Sequence, residues 1–245
     1  MPDIMIALVT GANKGIGQQI AAQLANLGHT VLIGARDPDA GKAAAQELQG
    51  AAGQVSSVVL DVTDPASAAA AAEVVQQRFG RLDALVNNAG ISGRPGADFA
   101  GQMPATANVD DIRYIFETNV FGVITVTAAF LPLLRRSAAP RIVNVSSSAG
   151  SLALTADFDN QNPIALGYVP SKTALTSLTI QYARGLAAEK ILVNAVCPGF
   201  VATDLNGFRG VRSPEQGATQ AVAMATIPAD GPTGTFTDDQ GPVPW

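Results

Sequence analysis

Six short runs of Val, Ile and Leu, at residues 4–10, 30–34, 55–60, 82–86, 141–145 and 191–197, carry almost no polar alternation. A strand with one wet face alternates apolar and polar side chains, so runs of this kind fit parallel strands buried on both faces. Longer stretches of helical composition separate them, predicting helices over 16–27, 38–49, 65–79, 109–136 and 168–189, the fourth broken near Asn119. Asp37-Pro38 and Asp64-Pro65 each supply an N-cap and a first helical residue. The alternation predicts an α/β fold, a doubly wound parallel sheet with right-handed crossovers in three αβα layers, as one domain over 1–245. With 47% of residues apolar and only 14% charged, the chain can cover both sheet faces.

The same composition excludes several classes of function. A net charge of −5, with Arg135-Arg136 the one adjacent basic pair of note, argues against nucleic acid or an anionic membrane as partner. One cysteine, Cys197, allows no internal disulfide and no zinc site, and it reads as a packing residue at the end of a buried strand. The one histidine, His29, falls in a turn at the opposite sheet edge from the long loops, where it reads as solvated, so no Ser-His-Asp triad can form. The N-terminal apolar run is short and lacks a basic flank, which reads as a strand and not a signal peptide. A cytoplasmic location is the expectation.

The first strand runs into Thr10-Gly11-Ala12-Asn13-Lys14-Gly15-Ile16-Gly17 and then a helix. Gly11 can make the tight turn, Gly15 lets backbone approach a pyrophosphate, and Gly17 lets helix and strand lie close, while the helix N-terminus offers amides to the anion. The expected fold is therefore of Rossmann type. After the second strand an acidic side chain would accept from a ribose 2′-hydroxyl, but the chain has Gly34-Ala35-Arg36 and Asp37 is taken as an N-cap. Arg36 and Lys14 together favour NADP(H) over NAD(H), because both can pair with a 2′-phosphate. Three longer loops, 91–108, 151–167 and 199–214, follow strand carboxyl ends and suggest a substrate crevice there.

Tyr168 and Lys172 are four apart on a predicted helix and share a face. A phenol with pKa near 10 is a poor base at neutral pH, and a neighbouring ammonium is expected to lower it. Together with Thr10–Gly17, Asp61-Val62, Asn87-Asn88-Ala89-Gly90, Asn119, Ser146-Ser147 and Pro198-Gly199, in this order, the pair resembles the short-chain dehydrogenase/reductase family, single-domain type, over most of the chain. The resemblance implies reversible hydride transfer between a nicotinamide and a ketone, aldehyde or secondary alcohol, with Tyr168 as general acid/base and Lys172 beside it. It implies Ser147 as the serine that bonds the substrate oxygen, with register open among Ser146, Ser147 and Ser148. Asn119 resembles an asparagine that holds a relay water, a role compatible with a helix-breaking hydrogen bond. By the same resemblance Asp61 with Val62 contacts the adenine, Asn87 and Gly90 form the adenosine wall, and Pro198, Gly199, Val201 and Thr203 meet the nicotinamide end. Tyr168 and Lys172 also touch the cofactor.

The segment from Asp157 to Gly167, with Phe158 and Asn160, is longer than the family's usual serine-to-tyrosine interval. In carbonyl-reductase-like members an insertion there covers an oligomerisation face, so tetramer, dimer and monomer all stay open. The tail from Pro232 to Trp245 resembles the carbonyl- and menthone-reductase-like branch, with Trp245 either a lid or a packing residue. Two rival uses of the scaffold fit less well. A non-catalytic NADP sensor could dispense with Tyr168 and Lys172, and a dehalogenase would lose the glycine loop and carry arginine at 172.

Overall fold

The computed structural model describes residues 4–96, 99–159 and 163–245, so Asn160 lies outside the described residues. The six expected strands are β1 (Ile6–Thr10), β2 (Thr30–Ala35), β3 (Val55–Val59), β4 (Ala84–Asn87), β5 (Arg141–Val145) and β6 (Leu192–Val196). Two more, β7 (Phe236–Asp238) and β8 (Gly241–Pro242), extend the sheet. The order is β3-β2-β1-β4-β5-β6-β7-β8, parallel throughout except for the last pair. The winding reverses between β1 and β4, which opens the crevice where ligands bind in sheets of this type.

Helices α1 (Gly15–Asn26), α2 (Pro38–Glu47) and α3 (Pro65–Phe79) follow the first three strands. Asp37 accepts from the amides of Asp39 and Ala40, and Asp64 from that of Ala66, as the Asp-Pro pairs led one to expect. The predicted long helix is three pieces: α4 (Val109–Phe116), a π-helical turn (Glu117–Phe121) holding Asn119, and α5 (Gly122–Leu134). A short helix α6 (Leu152–Thr155) precedes α7 (Tyr168–Gly185). The polar stretch after β6 leads into a helix the composition did not announce, α8 (Pro214–Ala225), capped by Ser213.

Strand residues alternate between two cores. Ala7, Val9, Val31 and Ile33 pack with Ile20 and Leu24 of α1, Ala44 of α2 and Ala221 of α8. Ile6, Leu8, Leu32 and Leu85 face the other way, onto Val75 of α3, Phe130 and Leu134 of α5 and Ala183 of α7. Three layers result. Within Val109–Leu134 an 18-residue window reaches a mean hydropathy of 1.5, long and apolar enough to cross a membrane. The stretch nevertheless packs Val126, Phe130 and Leu133 in the core beneath the sheet, as the helix of a globular protein does. His29 differs from expectation: it is half-buried, its Nδ1 accepts from the Met5 amide at 3.4 Å, and burial lowers its pKa.

Helix α7 lies directly on the turn after β5. A β-carbon on Gly150 would stand 2.6 Å from the carbonyl carbon of Lys172 and 2.8 Å from its Cβ, closer than packed atoms approach. Gly150→Ala is expected to push α7 off β5 and to cost about 1–3 kcal/mol of stability by overpacking, measured by urea unfolding.

Candidate active site

The expected catalytic residues and the glycine loop gather at the carboxyl ends of β1, β4, β5 and β6, while Arg36 follows β2 and Asp61-Val62 follow β3. Lys172 is buried, and its Nζ donates to the carbonyl of Val145, the last residue of β5, at 3.0 Å. The ammonium lies 5.8 Å from the centre of the Tyr168 ring. Tyr168 is half-buried as a residue, but its hydroxyl sits where burial pushes it up to about 12, partly offset by a hydrogen bond with Ser147. Burial pulls Lys172 down to about 8. The expectation that the ammonium depresses the phenol is thus corrected: burial opposes both charged forms, and it outweighs the other influences on Tyr168.

Ser147 is the serine whose side chain reaches Tyr168. The Ser146 hydroxyl donates to the Lys172 carbonyl at 3.2 Å, and Ser148 turns its amide to Cys197 Sγ, also at 3.2 Å. Cys197 accepts from Gly199 N–H as well, at 3.4 Å. Besides packing, it joins the loop after β5 to the loop after β6, a link composition could not reveal.

Asn119 is fully buried in its π turn. Its Oδ1 accepts from the Ile91 amide, and its Nδ2 donates to the Ile91 carbonyl, both at 2.9 Å, and to Ser171 Oγ at 3.0 Å. It therefore ties the strand-β4 loop to α7. Gly90 borders this cluster: a β-carbon there would stand 3.3 Å from Lys172 Nζ and 3.4 Å from Asn119 Oδ1. Asn87 has structural partners as well. Its side chain is buried on the α5 and α7 side, donating to Asn144 at 2.9 Å and Thr127 at 3.3 Å, while Asn144 donates to Thr179 at 2.9 Å. Position 87 pairs with Asn144 across β4 and β5 and lines a small cleft with Thr10, Val62 and Ala89.

The glycine loop has the shape a dinucleotide needs. Gly11 and Gly15 have φ of +60° and +58°, and a β-carbon on Gly17 would fall 2.4 Å from Asn88 Nδ2. Helix α1 begins at Lys14 with no side-chain cap and no acid in its first turn, whereas Asp37, Asp64, Asn108 and Ser213 cap α2, α3, α4 and α8. Its first amides suit an anion. Ile16 directs its side chain to the core, and Asn13 is half-buried on the loop. Asn88, given no role from the sequence, clips the loop: its Nδ2 donates to the carbonyls of Thr10 at 2.9 Å and Gly11 at 3.2 Å.

The other contacts divide. Asp61 closes a local turn, one oxygen accepting from Thr63 N–H at 2.9 Å and its hydroxyl at 2.7 Å, with half-buried Val62 next to it. The loop beyond Pro198 and Gly199 returns to the glycine loop, where the Thr203 methyl lies 3.5 Å from a β-carbon built on Gly15. Val201 turns its side chain to α8, so a β-carbon on Gly217 would meet it at 2.5 Å, and its carbonyl accepts from Asn206 Nδ2 at 2.8 Å. Lys14 is ion-paired with Asp204, while exposed Arg36 has no ion pair among the described residues. No group of three or more His, Cys, Asp or Glu that could hold a metal occurs among the described residues.

The family described as short chain dehydrogenase matches residues 5–211. The short-chain dehydrogenase anuI of Penicillium roqueforti is 38% identical over 229 residues, covering 90% of this chain and 88% of the relative. Carbonyl reductase [NADPH] 1 of Mus musculus is 32% identical, covering 98% of each chain. Among solved structures, a Pseudomonas aeruginosa RhlG/NADP active-site complex superposes with a TM-score of 0.82 at 32% identity, covering 96% of this chain and 94% of the other.

Removing the Asn88 clip leaves two loop carbonyls without their partner. Asn88→Ala is expected to lower stability by about 1 kcal/mol and to weaken NADPH binding about tenfold by loosening a preorganised loop, read by unfolding and by fluorescence titration.

Proposed function

The chain belongs to the short-chain dehydrogenase family, as an oxidoreductase of carbonyl and alcohol groups, and we propose that it is an NADPH-dependent carbonyl reductase in which Tyr168 delivers the proton. The observation that carries this reading is the convergence of Tyr168, Ser147 and buried Lys172 beside a glycine loop shaped for a dinucleotide. The reading takes 1–245 as one cofactor-binding domain with its substrate crevice at the carboxyl edge of the sheet. The backbone of Gly11 to Gly17 and the first amides of α1 would hold the pyrophosphate, and Arg36 the 2′-phosphate, with Lys14 shared with Asp204.

When bound, NADPH supplies a hydride to the carbonyl carbon. The chain supplies the proton and the geometry. The Tyr168 hydroxyl, kept neutral by burial, donates its proton to the carbonyl oxygen, so that ketone, hydride and proton become a secondary alcohol. Ser147 donates to the same oxygen and steadies its developing charge. Lys172, pinned to Val145, places a positive charge where Tyr168 gives up its proton. Asn119 positions Ser171 and the Ile91 turn beside it. At neutral pH the phenol carries its proton, the form that reduction uses, and its conjugate base would accept the proton in oxidation. The buried Cys197 thiol suits a reducing compartment.

The test is a carbonyl and alcohol panel with NADPH, NADH and their oxidised forms. Turnover of an activated ketone or aldehyde with NADPH well ahead of NADH is expected, and Tyr168→Phe should lower kcat by about 10²-fold or more while cofactor binding stays. Unchanged turnover in that variant would remove the mechanism.

The pH profile follows from Lys172. Its ammonium is present below about 8 and is lost as pH rises through that value, so reductive kcat should fall on the alkaline side while Tyr168 stays protonated. Stability runs the other way. Folding disfavours the lysine charge, so this group's contribution is full above the ordinary lysine pKa and is lost as pH falls through about 8. Paired kinetic and unfolding measurements across that range check both signs.

A further inference from the structure

The catalytic helix has an unusual start. Gly167, the N-cap of α7, has no side chain to cap with, and no acid stands in the first turn. The amide of Tyr168 itself donates to Gln102 Oε1, at 2.9 Å. Gln102 comes from the loop after β4, 66 residues earlier, and is only 2% exposed. Its Nε2 donates to the Ser92 carbonyl at 2.7 Å, and its own carbonyl accepts from the Leu166 amide at 2.9 Å. Ser92 continues the line, its hydroxyl donating to the Leu205 carbonyl at 2.7 Å. The fit around Gln102 is tight: a β-carbon on Gly167 would stand 2.9 Å from Oε1.

We propose that Gln102 is a positioning residue for Tyr168, capping the catalytic helix from outside and coupling it to the loops after β4 and β6. The proposal rests on the reading of Tyr168 as proton donor. The amide is used at both ends, as acceptor toward α7 and donor toward Ser92, which few side chains of this length can do. A shift of the first turn of α7 moves the Tyr168 hydroxyl relative to Ser147, and misplacement of about 1 Å at a reacting group can cost about 10²-fold in rate.

Two variants test it. Gln102→Met keeps length and volume but neither hydrogen bond, and kcat is expected to fall about tenfold or more, with the NADPH dissociation constant unchanged. Gln102→Glu separates positioning from packing. A protonated carboxyl can accept from the Tyr168 amide and donate to Ser92, whereas the ionised form faces the Ser92 carbonyl without a proton. Burial raises the pKa of such a carboxyl, so the ratio of Gln102→Glu to parent kcat should rise as pH falls, over and above the alkaline Lys172 limb that both proteins share. The titratable groups near position 102 among the described residues are Tyr168 and Asp111, the latter ion-paired with Arg94 at 2.7 Å. Gln102→Met with kcat within about twofold of the parent would overturn the proposal. So would a Gln102→Glu rate lowered equally at every pH, since that marks a packing defect. Failure of the underlying reading is distinguishable, because it would appear as undiminished turnover in Tyr168→Phe.

Discussion

The ammonium of Lys172 rests on the carbonyl of Val145 at 3.0 Å, inside the protein, and the local structure is arranged to allow it. A buried lysine is costly unless its donors are met. Gly150 lacks a side chain so that α7 can lie on the turn after β5, and a β-carbon at Gly90 would press on Lys172 Nζ and Asn119 Oδ1 at 3.3 and 3.4 Å. Asn119 is available because the helix beneath the sheet opens into a π turn there, where it ties the Ile91 turn to Ser171 of α7. The position of one charge thus depends on two glycines, one helix irregularity and the end of one strand.

That enclosure also sets the chemistry. Burial drives Tyr168 up and Lys172 down, each toward its neutral form, and the hydrogen bond with Ser147 pulls Tyr168 partly back. The result is a phenol that holds its proton until a partner oxygen accepts it, beside a lysine poised close to neutral pH. Reduction draws on the protonated phenol, and oxidation returns through its conjugate base. Around the centre, Asn88, Cys197, Gln102 and Ser92 fasten the strand-end loops to one another, so the loops that shape the crevice share a frame with the helix that carries Tyr168.

Much of this was legible in the sequence. Unbroken Val and Ile runs located six strands, because a strand buried on both faces has no reason to alternate, and Asp-Pro pairs located two helix starts. Helix α8 was missed although its signal was present: Ser213 and Gln216 form a capping box at the end of a stretch read only as polar. Strands β7 and β8 are too short to show a period, and the pairing of β7 with β6 and of β8 with β7 is a tertiary event. In the site, Tyr168 and Lys172 stood out by spacing. The motif at Asn87 and Gly90 did not announce their structural partners, Asn144 and Thr127 for one and the Lys172–Asn119 cluster for the other. Gln102 had no local pattern to mark it, since its partners are distant in sequence. The direction of the Tyr168 shift depends on burial, which spacing does not report.

The central claim is that a carbonyl carbon receives a hydride while Tyr168 protonates its oxygen. Reduction of a ketone with NADPH deuterated at nicotinamide C4, with the alcohol examined by mass spectrometry, tests it most directly, run with each C4 face labelled in turn. The account predicts deuterium on the carbinol carbon from one face, with no hydrogen at that carbon drawn from solvent. A product whose carbinol hydrogen comes from solvent with both labels would contradict it.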